Sequence, residues 1–426
     1  MSRALRLAGG WGAALVSALI LSAILAAPMA SPEPAVLAGA VSPTPRPSEA
    51  TPSQPGTALL PGESLPGFPH WPPAGAGSAR PVRMAELDVE TATVLQQALD
   101  RARTEQGLYS LAAGVAIDGR AYWAGASGVA LDGVTPLDGD SPFAIASITK
   151  TFTAALVLQL VEQGRLGLDD SVAAYLPEVG LAPEITVRNL LQHTSGLADL
   201  LAPMREPMAA DPERRWTGAE VIARLGSRWF APGAGYAYSN SNYVLLGMLV
   251  ERVHGRPFEE ALERHLLRPL DLEETGVLLA PDAPPLMPPA WASAFGTSGN
   301  MYSSPSDLLE WALALYGGRV LQPGTLAEML RFNDDDYGLG SEAIHLGDRV
   351  GVGHSGLLRG FTSLVVHLPS ERVTLVLIGT WQGFDPAGAL THSRNGQPSI
   401  LDLALDAAGV PRATASPTPS PAPPGG

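Results

Sequence analysis

Phe143-Ala-Ile-Ala-Ser-Ile-Thr-Lys150, continued by Thr151-Phe-Thr-Ala-Ala-Leu-Val-Leu-Gln-Leu-Val-Glu162, is the stretch from which the rest of the chain can be read. From about Ser147 to Glu162 it is apolar and free of Pro and Gly, and it predicts a helix ended near Gly164. Ser147 opens that helix, where exposed amides and the dipole favour a developing oxyanion. Lys150 follows three residues later, and positions three apart share a helix face, so Ser147 Oγ and Lys150 Nζ can meet. A hydroxyl needs a nearby base to become a nucleophile. Lysine can serve when desolvation or a neighbouring cation lowers its pKa; arginine stays charged and cannot. Lys150 is the only lysine among 27 basic residues, the rest being arginine. The chain uses arginine wherever positive charge alone suffices, and lysine where arginine would fail chemically.

Working outward, a helical pattern spans Val89 to Gln106 and stops at Gly107. Two strand-like runs follow, Tyr109 to Ile117 and Arg120 to Ala130, separated by the hairpin signal Asp118-Gly119. The middle, about Leu166 to Pro288, is mostly helical, most clearly in Tyr243 to Val253 and Pro257 to Leu267. Ser304-Pro-Ser-Asp307 fits a helix start, with Ser304 as cap, Pro305 in the first turn and Asp307 reaching back. Phe361 to Leu368 and Val373 to Thr380 form a second hairpin around Pro369-Ser-Glu-Arg372, and a helix from Ser399 to Ala408 closes the folded part. Strands at both ends with helices between predict an α+β fold. One antiparallel sheet would be built from both ends and flanked by the first and last helices. A mainly helical lobe would be inserted between, with a cleft at the junction.

Outside that part the composition changes. Residues 1–30 begin with Arg3 and Arg6 and carry an uncharged apolar run, Trp11 to Ala27, before small residues. That pattern is either a cleaved export signal or an uncleaved anchor through residues 11–27, and both put the rest of the chain outside the cytoplasm. Residues 31–83 are rich in Pro, Ser and Ala and read as a linker; residues 413–426 read as a disordered Pro-rich tail. The folded domain is therefore expected over 84–412. A net charge of −15 argues against a nucleic-acid partner, and the absence of cysteine removes disulfides and thiolate chemistry.

Two further clusters carry candidate chemistry. Tyr238-Ser-Asn240 follows the turn signal Pro232-Gly233. A tyrosine whose phenolate is stabilised by an ammonium can shuttle protons, and Asn240 can hold the lysine and a substrate amide. His354-Ser-Gly356 stands just before the strand at Phe361; taken alone it reads as a partly buried histidine in a turn, and taken with the other two motifs it falls on a late strand. Gly356 would let the backbone approach a ligand, and His354 would hydrogen-bond the tyrosine or bind a carboxylate. His193 is read as structural and Arg359 as a solvated loop residue.

Ser-x-x-Lys, Tyr-x-Asn and His-x-Gly in this order resemble the superfamily of class C β-lactamases, D-alanyl-D-alanine carboxypeptidases and related esterases. The resemblance covers nearly all of residues 90–410. It is carried by Phe143 to Phe152, Ile185-Thr-Val-Arg-Asn-Leu-Leu-Gln-His-Thr-Ser-Gly-Leu197, Pro232 to Gly247, and Gly353 to Gly356 with Gly360-Phe361. It implies an acyl-enzyme on Ser147, proton handling by Lys150 and Tyr238 with the base left open between them, and substrate positioning by Asn240, His354, Ser355 and Gly356. The oxyanion hole would be the amides of Ser147 and Leu357. β-Lactamases of this type usually carry Lys-Thr-Gly where this chain has His354-Ser355-Gly356, which is more like the D,D-peptidases and D-amino-acid peptidases. The expected activity is hydrolysis of a small peptide, amide or ester substrate, foremost a D-amino-acid peptide, by a monomer needing no cofactor or metal. The alternatives are an esterase or β-lactamase on the same fold, or a non-hydrolysing penicillin-binding or wall-sensing protein.

Overall fold

Strands β2 (Ser110–Ile117) and β3 (Ala121–Gly128) turn on Asp118 and Gly119, both at positive φ (55° and 62°), as a two-residue hairpin of matching twist requires. The computed structural model describes residues 84–380, 384–391 and 397–411. The expected signal or anchor, the linker before residue 84 and the tail after 412 lie outside the described residues. The chain divides into two units, 1–69 with 131–134 and 70–130 with 135–426, and the fold below is that of the second.

The main sheet has seven strands in the order β1-β3-β2-β10-β9-β8-β7. They are β1 (Ala85–Glu86), β2, β3, β7 (Glu342–Leu346), β8 (Arg349–Leu358), β9 (Phe361–Leu368) and β10 (Val373–Gly379). β2 lies beside β10, so both ends of the folded chain share one sheet, and every pairing except β1 with β3 is antiparallel. A second, three-stranded sheet joins β4 (Phe143–Ala144), β6 (Met301–Ser303) and β5 (Gly276–Val277). On one face of the main sheet, α1 (Val89–Glu105) and the last helix, α5 (Ile400–Ala407), pack Leu95, Leu99, Ile400 and Leu405 against Leu111, Val115 and Leu375. On the other, α4 (Pro305–Tyr316) lies so close that a Cβ on Gly114 would sit 2.9 Å from the Leu309 side chain. With both faces covered, every residue of β2 is buried. Each fully buried Leu contributes about 2 kcal/mol of transfer free energy.

The sequence patterns locate α1, β2, β3, β9, β10 and α5 within two residues, while no local pattern delimits β1 or β4 to β8. Four details differ. Ser147 lies in a short 3₁₀ turn, Ala146–Ile148, ahead of α2 (Thr149–Glu162), rather than in the α-helix itself. Pro257 to Leu267 is not one continuous α-helix: Phe258–Leu262 gives way to a π-helical turn at Glu263–Leu267. That wider turn accommodates Pro269, which lacks an N–H and would crowd the carbonyl four residues back. His354-Ser355-Gly356 lies inside β8, not in a turn. Three glycines and a histidine give that strand little β-propensity, but pairing with β7 and β9 overrides it. Ser304 and Pro305 do start α4, yet the Asp307 side chain does not reach back to the cap. It accepts hydrogen bonds from the Glu274 amide (2.9 Å) and Thr275 Oγ1 (2.7 Å) instead. Among the described residues no helix is long and apolar enough to cross a membrane.

Candidate active site

α2 is buried from Thr149 to Leu158, so each polar side chain on it must find a partner inside the protein. Thr151 Oγ1 donates to Ile148 O (2.8 Å) and accepts from Trp311 Nε1 (2.8 Å); Thr153 Oγ1 donates to Thr297 O (2.7 Å). Phe152 stacks on Trp311 with centroids 3.8 Å apart. Thr149 Oγ1 accepts from the Met301 amide (3.2 Å). These contacts fix α2 against α4 and the 297–301 segment, and with it the height of Lys150.

The Lys150 side chain has no exposed surface. Its Nζ donates to Ser147 Oγ (2.9 Å), Asn240 Oδ1 (2.8 Å) and the Ser298 carbonyl (2.8 Å), which uses all three ammonium protons. It also lies 4.9 Å from the Tyr238 ring centroid and 5.5 Å from that of Tyr243. Burial pulls its pKa from 10.5 to about 7, against the opposing fields of Asp199 and Glu342. A primary amine titrating there can take a proton at neutral pH, which an ordinary lysine cannot.

Ser147 is presented by strain and packing. Ala146 holds φ at 48°, a left-handed conformation costing an alanine about 1 kcal/mol. It persists because Ile145 is pinned: its amide donates to Met301 O (3.1 Å), and its carbonyl accepts from Ser363 Oγ (2.9 Å). Gly356 of β8 faces this segment. A Cβ there would sit 2.6 Å from Ile145 O, 2.2 Å from Ser363 Oγ and 3.1 Å from Ala146 Cβ. The close approach that needs glycine is therefore to the backbone that leads into Ser147, not to a ligand.

Helix α3 (Asn240–His254) brings the second cluster. Tyr238 precedes it, partly exposed and hydrogen-bonded to Ser147, with its pKa driven well above 10 by burial and by Glu342. It is a neutral phenol, so the expected phenolate does not form in the free protein at ordinary pH. Asn240 is oriented by Asp199, whose Oδ2 accepts from the Asn240 backbone amide (2.6 Å) and from Asn240 Nδ2 (3.0 Å), leaving Asn240 Oδ1 to accept from Lys150 Nζ. His193 lies beside Tyr238, ring centroids 4.2 Å apart, and its Nδ1 accepts from the Ser239 amide (3.1 Å). Burial holds it well below its usual range. It supports the Tyr238 loop from behind, in keeping with a structural role.

His354 is where the structure departs most from expectation. It is completely buried and does not bond Tyr238: its Nε2 pairs with the Tyr337 hydroxyl (3.0 Å), and its Nδ1 with Ser355 O (2.5 Å). The carbonyl can only accept, so Nδ1 carries the proton and the neutral ring accepts from Tyr337. Burial lowers its pKa, with Glu342 opposing. His354 therefore braces β8 from inside. Its neighbours Ser355 and Leu357 face a cleft of about 370 Å³ that Ser147, Tyr238, Asn240 and Glu342 also line, within the size range of ligand sites. The Leu357 side chain is exposed, and the strand alternation that aims the Ser355 amide away from β9 aims the Leu357 amide the same way. Sequence reasoning missed Asp199, Ser298, Tyr337 and Glu342. Asp199 and Glu342 lie outside the three motifs, Ser298 acts through its backbone, and Tyr337 reads as an ordinary core aromatic.

A family model described as Beta-lactamase matches residues 95–395. The chain is similar to a D-aminopeptidase of Brucella anthropi, 27% identical over 291 residues, which are 62% of this chain and 54% of that protein. Among solved structures it is similar to a D-stereospecific amidohydrolase from Streptomyces sp. (30% identity, TM-score 0.59, 69% of this chain and 96% of that one). It is also similar to a D-amino acid amidase from Ochrobactrum anthropi SV3 complexed with L-phenylalanine (26% identity, TM-score 0.64, 75% and 98%). The chain spans about half to three fifths of the length of the curated relatives it matches.

Proposed function

The chain belongs to the beta-lactamase family, and from that membership we propose that it is a serine acyl hydrolase cleaving amide bonds of D-amino-acid compounds through an ester on Ser147. The observation that carries this reading is the buried amine of Lys150, 2.9 Å from Ser147 Oγ and titrating near neutrality. Ser147 Oγ attacks the substrate carbonyl carbon as its proton passes to the unprotonated Lys150 amine. The tetrahedral oxyanion is held by the Ser147 and Leu357 amides. When the C–N bond breaks, the departing amine takes a proton from Lys150 through the Tyr238 hydroxyl, which bonds Ser147. Water then attacks the acyl ester, giving its proton to the Lys150 amine, which returns it to Ser147 Oγ as the ester bond breaks. Asn240, fixed by Asp199, keeps the amine aimed at the hydroxyl. The similarity to a D-aminopeptidase and to D-stereospecific amidases supports the substrate class. The apolar run at residues 11–27 supports action outside the cytoplasm.

The test is a panel of D- and L-amino-acid amides and D-alanyl peptides, with p-nitrophenyl esters beside them, on the wild type and Ser147→Ala. Turnover of the D-amides by the wild type and none by the variant is expected, with an acyl adduct on Ser147 by intact mass. Equal activity in the variant, or hydrolysis confined to esters, sinks the reading.

A further inference from the structure

β7 pairs with β8 only from Glu342 opposite Gly353 to Leu346 opposite Arg349, so β8 runs on past its partner through residues 354–358. That free edge borders the cleft. Its first amide, Ser355, donates to Glu342 Oε2 at 2.9 Å, so a side-chain carboxylate stands where a neighbouring strand would continue. Glu342 Oε1 lies 3.5 Å from His354 Nδ1, but that ring is neutral and its proton goes to Ser355 O. Among the described residues no arginine or lysine side chain forms an ion pair with Glu342. Its side chain keeps 20% of its surface exposed, and it lines the cleft. No arginine or lysine is among the described cleft-lining residues, since Lys150 lies beneath the floor. Asp199, behind Asn240, adds a second negative field. A substrate laid along the β8 edge with its carbonyl oxygen at the Leu357 amide passes Ser355 about 7 Å further along the strand. There it meets Glu342.

We infer that Glu342 sets the substrate class of the cleft: it favours compounds carrying an ammonium group near the scissile bond and rejects those ending in a carboxylate. The enzyme is then of aminopeptidase or amidase type rather than carboxypeptidase type. A carboxylate would enter a cleft lined by one unpaired carboxylate and by no arginine or lysine side chain, whereas an ammonium supplies the missing partner. This rests on the acyl-hydrolase reading above, and the two can be separated.

Three probes differ in charge at one dipeptide core: N-acetyl-D-alanyl-D-alanine (−1), its C-terminal amide (0) and D-alanyl-D-alanine amide (+1). In the wild type, kcat/KM is expected to rise about tenfold with each step toward positive charge. Glu342→Gln keeps an acceptor for the Ser355 amide while removing the charge, and should compress the series to within about threefold. A purely structural role in holding Ser355 would shift all three equally, which overturns the inference, as does a wild type that favours the carboxylate. Calorimetric binding of the same probes to Ser147→Ala reads the charge order without turnover. That order without wild-type turnover sinks the acyl-hydrolase reading and keeps the charge preference; turnover without the order does the reverse.

Discussion

Replacing Lys150 tests the chemistry and the electrostatics together. Its amine is fully buried and sits at about 7 instead of 10.5, so holding the charged form there costs about 5 kcal/mol. For catalysis, kcat/KM on a neutral ester should rise with unit slope as pH climbs through about 7, because only the unprotonated amine can take the Ser147 proton. Tyr238, held far above 10, adds no inflection in that range. Lys150→Arg keeps a cation and should lower kcat/KM by about a thousandfold or more at every pH, with the inflection gone. For stability the sign is fixed by linkage. Between about 7 and 10.5 the unfolded chain holds a proton on this lysine and the folded chain does not, so folding becomes more favourable as pH rises. Against Lys150→Met, which cannot titrate, the wild type should gain about 1.4 kcal/mol per pH unit across that window and nothing below it. Urea unfolding at pH 7.5, 8.5 and 9.5 measures the difference. Parallel stability curves, a slope of opposite sign, or an arginine variant within tenfold of wild type would refute the assignment of Lys150 as base.

Two other substitutions follow from the same geometry. Asp199→Asn removes a field that raises the Lys150 pKa and disturbs the acceptor of both Asn240 donors; the pH–rate inflection should move to lower pH while kcat falls about tenfold, and an inflection that stays in place would contradict it. Gly356→Ala places a methyl 2.6 Å from Ile145 O and against Ser363 Oγ. Circular dichroism should show the sheet intact, while kcat/KM falls by about a hundredfold as Ser147 is displaced; near-wild-type kinetics would mean the segment tolerates the shift.

The pairing of Ser147 with Lys150, the strand ends and the helical insertion were legible because each leaves a local mark. A hairpin needs Asp118-Gly119, a buried helix needs an unbroken apolar run, and a Ser-x-x-Lys pair shares a helix face by period alone. A lone lysine among arginines is likewise a sequence fact with a chemical reason. What the tertiary structure decided is everything set by partners far along the chain. No local pattern delimits β8, because its glycines have little β-propensity, and pairing with β7 and β9 makes it a strand. His354 looks like a cleft residue until strand alternation turns it inward to Tyr337, 17 residues away. The pKa of Lys150 depends on burial that no local pattern records and on the opposing fields of Asp199 and Glu342, both far along the chain, while its ammonium is held by acceptors at Asn240 and Ser298, 90 and 148 residues distant. Residue identity names the groups that can react; long-range packing sets their solvation, and solvation decides which of them carries the proton.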